Sequence, residues 1–282
     1  MANPVLSTRG LFTPAGPQYV APSQGLNGNV PYGYQAYAAP GQPSVVVPPW
    51  QPPAQTADVE RMTFNDVLAK TAISLLLLFL VAAGAYIFLP NSILYPAALI
   101  GGLVAFIAPL IVAKRRSANP ALMVFYAVAE GVFVGAFSKI FEVYYPGIVV
   151  QAVLGTFMAA AVTWVAYHFG GFRISAKMTR MVSIGVMAFA GVALVNLVLF
   201  LFGINLGLFP GPTGHVSMWA WLVALVGIGL AVFSLVTDLQ YIDAAVAMGA
   251  PRSQGWVAAF GLSVTMVWLY INILRLLSYI RR

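Results

Sequence analysis

Three carboxylates, Glu130, Asp238 and Asp243, stand within or at the edge of long apolar runs in a chain with only 7% charged residues. An ionised carboxylate in or beside hydrocarbon is costly, so such acids mark ion pathways, proton relays or buried helix contacts. Glu130 lies in YAVAEGVFVGAF, where a carboxyl must be protonated, paired or turned toward water. Asp238 and Asp243 close the run GLAVFSLVTDLQYIDAAVAMG. Five residues apart, they sit about 140° from each other around a helix at about 100° per residue. They share no face and make no catalytic pair. Asp243 is expected as a solvated helix-end residue and Asp238 as the candidate gate, with Arg252 or Arg173 as possible ion-pair partners.

A second polar feature is the run Thr265, Trp268, Asn272, Arg275 and Tyr279. Steps of three and four place these side chains on one helical stripe. Lipid disfavours Asn and Arg, so the stripe is expected to face the bundle or a wet cavity, unless Arg275 snorkels to the interface.

Several chemistries are excluded. The chain has no cysteine, hence no disulfide, thiolate nucleophile or Cys-bound metal. GxSxG, Walker and HExxH signatures are absent, as is the GxGD of intramembrane aspartyl proteolysis. His168 and His215 fall at opposite membrane faces and share no metal. The expectation is a protein that is no enzyme and holds no cofactor, with Ca²⁺ as at most a permeant ion that Asp238 and Glu130 bind weakly and transiently.

The elements that must position these residues follow from hydropathy. With 61% hydrophobic residues and a mean hydropathy of +0.88, the chain is an all-α integral membrane protein whose main environment is the lipid bilayer. Soluble domains carry about 25% charged residues. Residues 1–57 hold one base, Arg9, no acid, and runs such as PYGYQAYAAPGQPSVVVPPWQPP. Such a segment reads as a disordered, solvated tail without the features of a signal peptide, and it could recruit protein partners. Residues 58–70, DVERMTFNDVLAK, form an interfacial lead-in with Thr63 or Asn65 as helix cap. Residues 71–282 form a seven-helix domain with spans near 71–89, 93–113, 120–141, 147–168, 182–203, 217–240 and 256–280, each close to the ~20 residues a bilayer requires. Pro109 is expected to kink the second span, and GVFVG at 131–135 permits a close helix approach in the third.

Basic residues punctuate the loops after spans two, four and six: Lys114, Arg115 and Arg116; Arg173, Lys177 and Arg180; and Arg252. The net charge of +7 therefore points to anionic lipid rather than nucleic acid, and to a cytoplasmic N-terminus. Arg281 and Arg282 oppose that rule if the last segment crosses, and seven crossings are expected over re-entry because that segment is long enough. Counting from Pro120, Glu130 then lies about 15 Å deep, near mid-membrane, while Asp238 lies about 32 Å into span six, at the cytoplasmic boundary.

RMTFNDVLAKT, SLVTDLQYI in span six and LYINILRLLSYI in span seven resemble the Bax inhibitor-1 (transmembrane Bax inhibitor motif) family over residues 60–282, and RMTFNDVLAKT looks like the entry to its bacterial members. The resemblance implies a seven-helix bundle with the last helix central, a pH-sensitive Ca²⁺ leak, and a gate where aspartates of spans six and seven share a proton. Asp238 matches the first aspartate. Leu269 or Thr265 stands at the second, and Asn272 is the nearest carboxylate-like side chain, able to hydrogen-bond Asp238 but not to titrate with it. The expectation is a passive cation leak in the bacterial inner (plasma) membrane. A non-conducting scaffold acting through the tail and a proton-coupled small-solute carrier are the alternatives.

Overall fold

The computed structural model describes residues 60–115, 120–204 and 206–282; the tail at 1–57 lies outside them. Seven helices follow in order: α1 Phe64–Phe88, α2 Leu94–Arg115, α3 Pro120–Tyr144, α4 Ile148–His168, α5 Ala176–Leu201, α6 Met218–Ala247 and α7 Gly255–Ile280. The shortest, at 21 residues, extends about 31 Å at 1.5 Å per residue, enough for the ~30 Å hydrocarbon core. All seven are long and apolar enough to cross a membrane. The protein is a seven-helix membrane bundle.

Helix starts follow local capping chemistry. The Thr63 hydroxyl accepts from the Asp66 amide at 3.1 Å, Ser175 caps α5 through the Met178 amide, and Ser217 caps α6 through Ala220. Each satisfies a donor that the first helical turn leaves free. The cap at Thr63 makes residues 64–70, expected as a lead-in, the first two turns of α1 itself. At α4 the carboxylate of Glu142 does the same work, accepting from Gly147 N at 2.5 Å and Val149 N at 3.0 Å. Helix α2 continues through Pro109.

Packing sorts the helices into centre and rim. Helix α7 is buried along most of its length and touches α1, α3, α4 and α6. Helix α5 packs on α6 alone among its stronger neighbours, and it turns residues such as Met181, Ile184, Met187 and Val195 outward. Exposed apolar side chains on α1, α2 and α4 complete a lipid-facing belt, the expected inversion for a bundle whose solvent is hydrocarbon. Gly131 and Gly135 let α3 lie directly on α1: a β-carbon at Gly131 would come within 2.8 Å of the Leu78 carbonyl oxygen and of Val81 Cβ.

The two ends of the bundle are distinct. At one, here the N-side, residues 60–62 pair with the α6–α7 connection: Met62 N donates to Ala250 O at 2.8 Å and Arg252 N to Glu60 O at 2.7 Å. The α4–α5 connection lies there too, its Ile174 carbonyl accepting from Gln240 at 3.2 Å. At the other, the C-side, Arg281 donates to Pro146 O at 2.8 Å. Arg282 donates to Tyr145 Oη at 3.0 Å and to the carbonyls of Gly211 and Gly214. The chain therefore leaves the bundle at the end opposite to its entry. One unbroken α7 crosses the whole bundle, and the terminal arginines are held by loop carbonyls.

Candidate functional site

Six of the seven acids fall among the described residues, and four of them have structural work. Glu142 caps α4. Glu60 and Asp66 join Arg252 and Lys70 at the N-side: Lys70 Nζ lies 2.6 Å from Asp66 Oδ2 and 2.9 Å from Arg252 O, Arg252 Nε lies 3.1 Å from Asp66 Oδ1, and Arg252 also pairs with Glu60. Asp243 accepts from the Tyr167 hydroxyl at 2.5 Å, and the Arg173 guanidinium lies over the Tyr167 ring at 6.0 Å. Asp243 is thus a half-buried tie between α6 and α4 rather than a solvated helix end. Among the described residues Arg252 pairs with Glu60 and Asp66 at the start of α1, and Arg173 stands over Tyr167.

That leaves Asp238 and Glu130. Asp238 is fully buried, within a stretch of α6, residues 234–239, that is buried on every face. Its Oδ2 accepts from the Thr265 hydroxyl of α7 at 2.6 Å. Glu130 is also buried and hydrogen-bonded to Tyr126 one turn earlier on α3. Its Oε2 has no hydrogen-bond partner among the described residues. The Tyr126 ring packs at a tilt on Phe260 of α7 with centroids 4.5 Å apart, and three turns further along α3 Ser138 Oγ meets Tyr270 Oη at 2.6 Å. This register sets Glu130 level with residue 264 of α7, beside the Thr265 that holds Asp238. Between the two carboxyls runs α7, whose Ser263 hydroxyl donates to Ser74 of α1 at 3.3 Å.

The depth of Asp238 differs from expectation. Helix α6 has 30 residues and continues nine beyond Asp238, so this carboxyl lies about 14 Å inside the N-side helix end, level with Glu130 at about 15 Å. Hydropathy alone ends span six near residue 240 because the two aspartates lower it. The helix persists because both have partners.

The stripe on α7 faces inward, as its composition requires. Trp268 packs on Phe189 of α5 at 5.5 Å, Tyr279 on Trp221 of α6 at 5.8 Å, and the Arg275 guanidinium stands over Phe209 at 4.9 Å and Phe137 at 5.5 Å. Asn272 does not reach Asp238. Two turns beyond Thr265, about 10.5 Å along the axis, it donates to Trp268 O at 2.8 Å and packs its amide against Gly227. On α7 it is Thr265 that donates to Asp238.

Sequence reasoning missed the N-side network, although Asp66 and Lys70 stand at the i, i+4 spacing that signals a helical ion pair. Arg252→Ala is expected to release residues 60–62, seen as faster amide exchange at Met62, while exchange around Thr265 stays unchanged. No group of three or more His, Asp or Glu side chains gathers among the described residues.

A lipid-embedded bundle wrapped around its last helix, with buried carboxyls at one level on either side of that helix, is a polytopic α-helical membrane protein. A model of the family described as Bax inhibitor 1 like matches residues 3–282, and the chain belongs to that family. The match begins well inside the tail, further toward the N-terminus than the 60–282 over which the motifs are similar. A comparison with curated proteins finds no match.

Proposed function

We propose that this protein is a passive cation leak, with Ca²⁺ among its permeant ions, seated in the bacterial plasma membrane with its N-side toward the cytoplasm. The observation that carries the proposal is the placement of Glu130 and Asp238, both deep in the bundle and both at the level of Thr265. Structural needs account for the other described acids. Carboxylate oxygens are hard ligands of the type Ca²⁺ takes, and partners on two faces of α7 suit brief contact with a passing ion better than storage of one.

Closure rests on the α6–α7 contact. The Thr265 hydroxyl is a neutral donor, so it holds Asp238 against α7 without a counter-charge. An ion that draws Asp238 toward itself competes with the Thr265 hydrogen bond, and a hydrogen bond of this kind is worth about 0.5–1.5 kcal/mol. No catalytic step is required of any residue.

The test is Ca²⁺ entry into proteoliposomes of purified protein. Flux above that of protein-free vesicles is expected, with a fall of about tenfold in Asp238→Asn and in Glu130→Gln, the factor that ~1.4 kcal/mol of lost ion stabilisation produces. Ion-tight vesicles would sink the proposal. Flux unchanged in both variants would remove these residues from it.

A further inference from the structure

Helix α5 packs on α6 and stands apart from α2 and α3, and the gap is a cavity of about 380 Å³ lined by Tyr95, Phe106, Phe137, Asn196, Phe209 and Arg275, among others. It lies on the C-side half of the bundle, away from the Asp238 level. Its one charged lining side chain is Arg275, whose guanidinium is sandwiched between the rings of Phe137 and Phe209. Among the described residues that guanidinium makes no salt bridge. Its planar group offers five N–H donors in a fork that matches phosphate oxygens. Held in an apolar groove, such a cation favours an anionic occupant with several acceptor oxygens.

The surroundings define the rest of the occupant. The groove wall includes lipid-facing side chains, Tyr95, Leu194 and Phe200, which are 60%, 42% and 58% exposed. Arg275 is five residues from the C-side end of α7, about 7.5 Å along the axis, near the level where headgroups meet hydrocarbon. The geometry points to a phospholipid from the C-side leaflet, its phosphate paired with Arg275 and an acyl chain laid along the aromatic wall between α2 and α5. Phe137 and Phe209 hold the guanidinium in the groove by cation–π contact. Asn196 supplies a second polar group on the α5 wall.

Native mass spectrometry of the purified full chain tests this, with phosphatidylglycerol, a galactosyl diacylglycerol of matched chains, and inorganic phosphate as probes. The wild type is expected to retain one phosphatidylglycerol through detergent removal and to gain thermal stability from it. The galactolipid and inorganic phosphate should give neither effect. Arg275→Met keeps the packing volume and removes the charge, and retention is expected to fall about tenfold, the loss of one charge-assisted pair. Ala193→Phe fills the groove from α5 while leaving Arg275 in place, and it should lower retention equally. Retention at the wild-type level in both variants would overturn the site. Stabilisation by inorganic phosphate matching that by the lipid would make it a free-anion site and overturn the lipid assignment. Ca²⁺ entry is read separately, so loss of lipid retention and loss of flux are distinguishable.

Discussion

Thr265→Asp is expected to turn a leak held by a neutral hydrogen bond into one that opens steeply as pH rises. The wild-type contact places the Thr265 oxygen 2.6 Å from Asp238 Oδ2. A carboxyl placed there by a residue of similar reach would face a second carboxyl in a fully buried setting. Two carboxyls at this separation hold one proton between them, and that shared proton is a strong link between α6 and α7. Removing it leaves two like charges with no water between them, and the helices are driven apart. The sign follows: flux is low below the titration of the pair and high above it. From the acid side of that titration to the alkaline side, Ca²⁺ entry through Thr265→Asp is expected to rise by roughly tenfold or more, since each ~1.4 kcal/mol of repulsion is a factor of ten in open population. Thr265→Asn supplies a neutral donor at the same place and should behave as the wild type, whose α7 partner has no titrating group. A pH profile identical in all three proteins would show that the α6–α7 contact is not the closure.

The same contact separates what residue patterns reveal from what they cannot. Seven spans were legible because each apolar run is near the length a bilayer demands. The inward stripe on α7 was legible because spacing of three and four needs no partner to be known. Pairing between helices was not. Thr265 and Asp238 are 27 residues apart, with a turn between, and whether Thr265, Leu269 or Asn272 meets Asp238 depends on how far α6 extends past it. The charge of Asp238 and Asp243 hides that extension from hydropathy, and the Tyr167 hydroxyl, 76 residues away, makes it tolerable. The shared level of Glu130 and Asp238 was hidden for the same reason. The N-side network shows the complementary case: its Asp66–Lys70 half is local and readable, while the Arg252 half needs residues 60–62 folded against the α6–α7 turn.

The α1–α3 seam gives the largest expected effect on folding, through Gly135→Val. A β-carbon at Gly135 would run into the Ala82 carbonyl oxygen and lie 2.8 Å from Ala85 Cβ. The first contact is with backbone, so no rotamer change relieves it, and α3 must move off α1. Extra methyl groups in a packed interior cost about 1–3 kcal/mol. Here the upper part of that range is expected, because helix association in lipid depends on this close packing rather than on apolar burial. Glu130 lies on the same helix, beside Gly131 and one turn before Gly135, so the shift also moves a carboxyl of the proposed pathway. Gly84→Ala is the control, since a β-carbon there meets nothing within 4 Å, and helix propensity alone predicts a gain of up to about 1 kcal/mol. Thermal unfolding followed by tryptophan fluorescence in detergent is expected to place Gly135→Val well below the wild type and Gly84→Ala at or above it. Ala85→Gly added to Gly135→Ala removes the side-chain clash and leaves the carbonyl clash, so it should restore only part of the loss. Full restoration would mean that α1 and α3 are held apart by side chains rather than seated backbone to backbone. Equal unfolding of Gly135→Val and Gly84→Ala would contradict the close seam altogether.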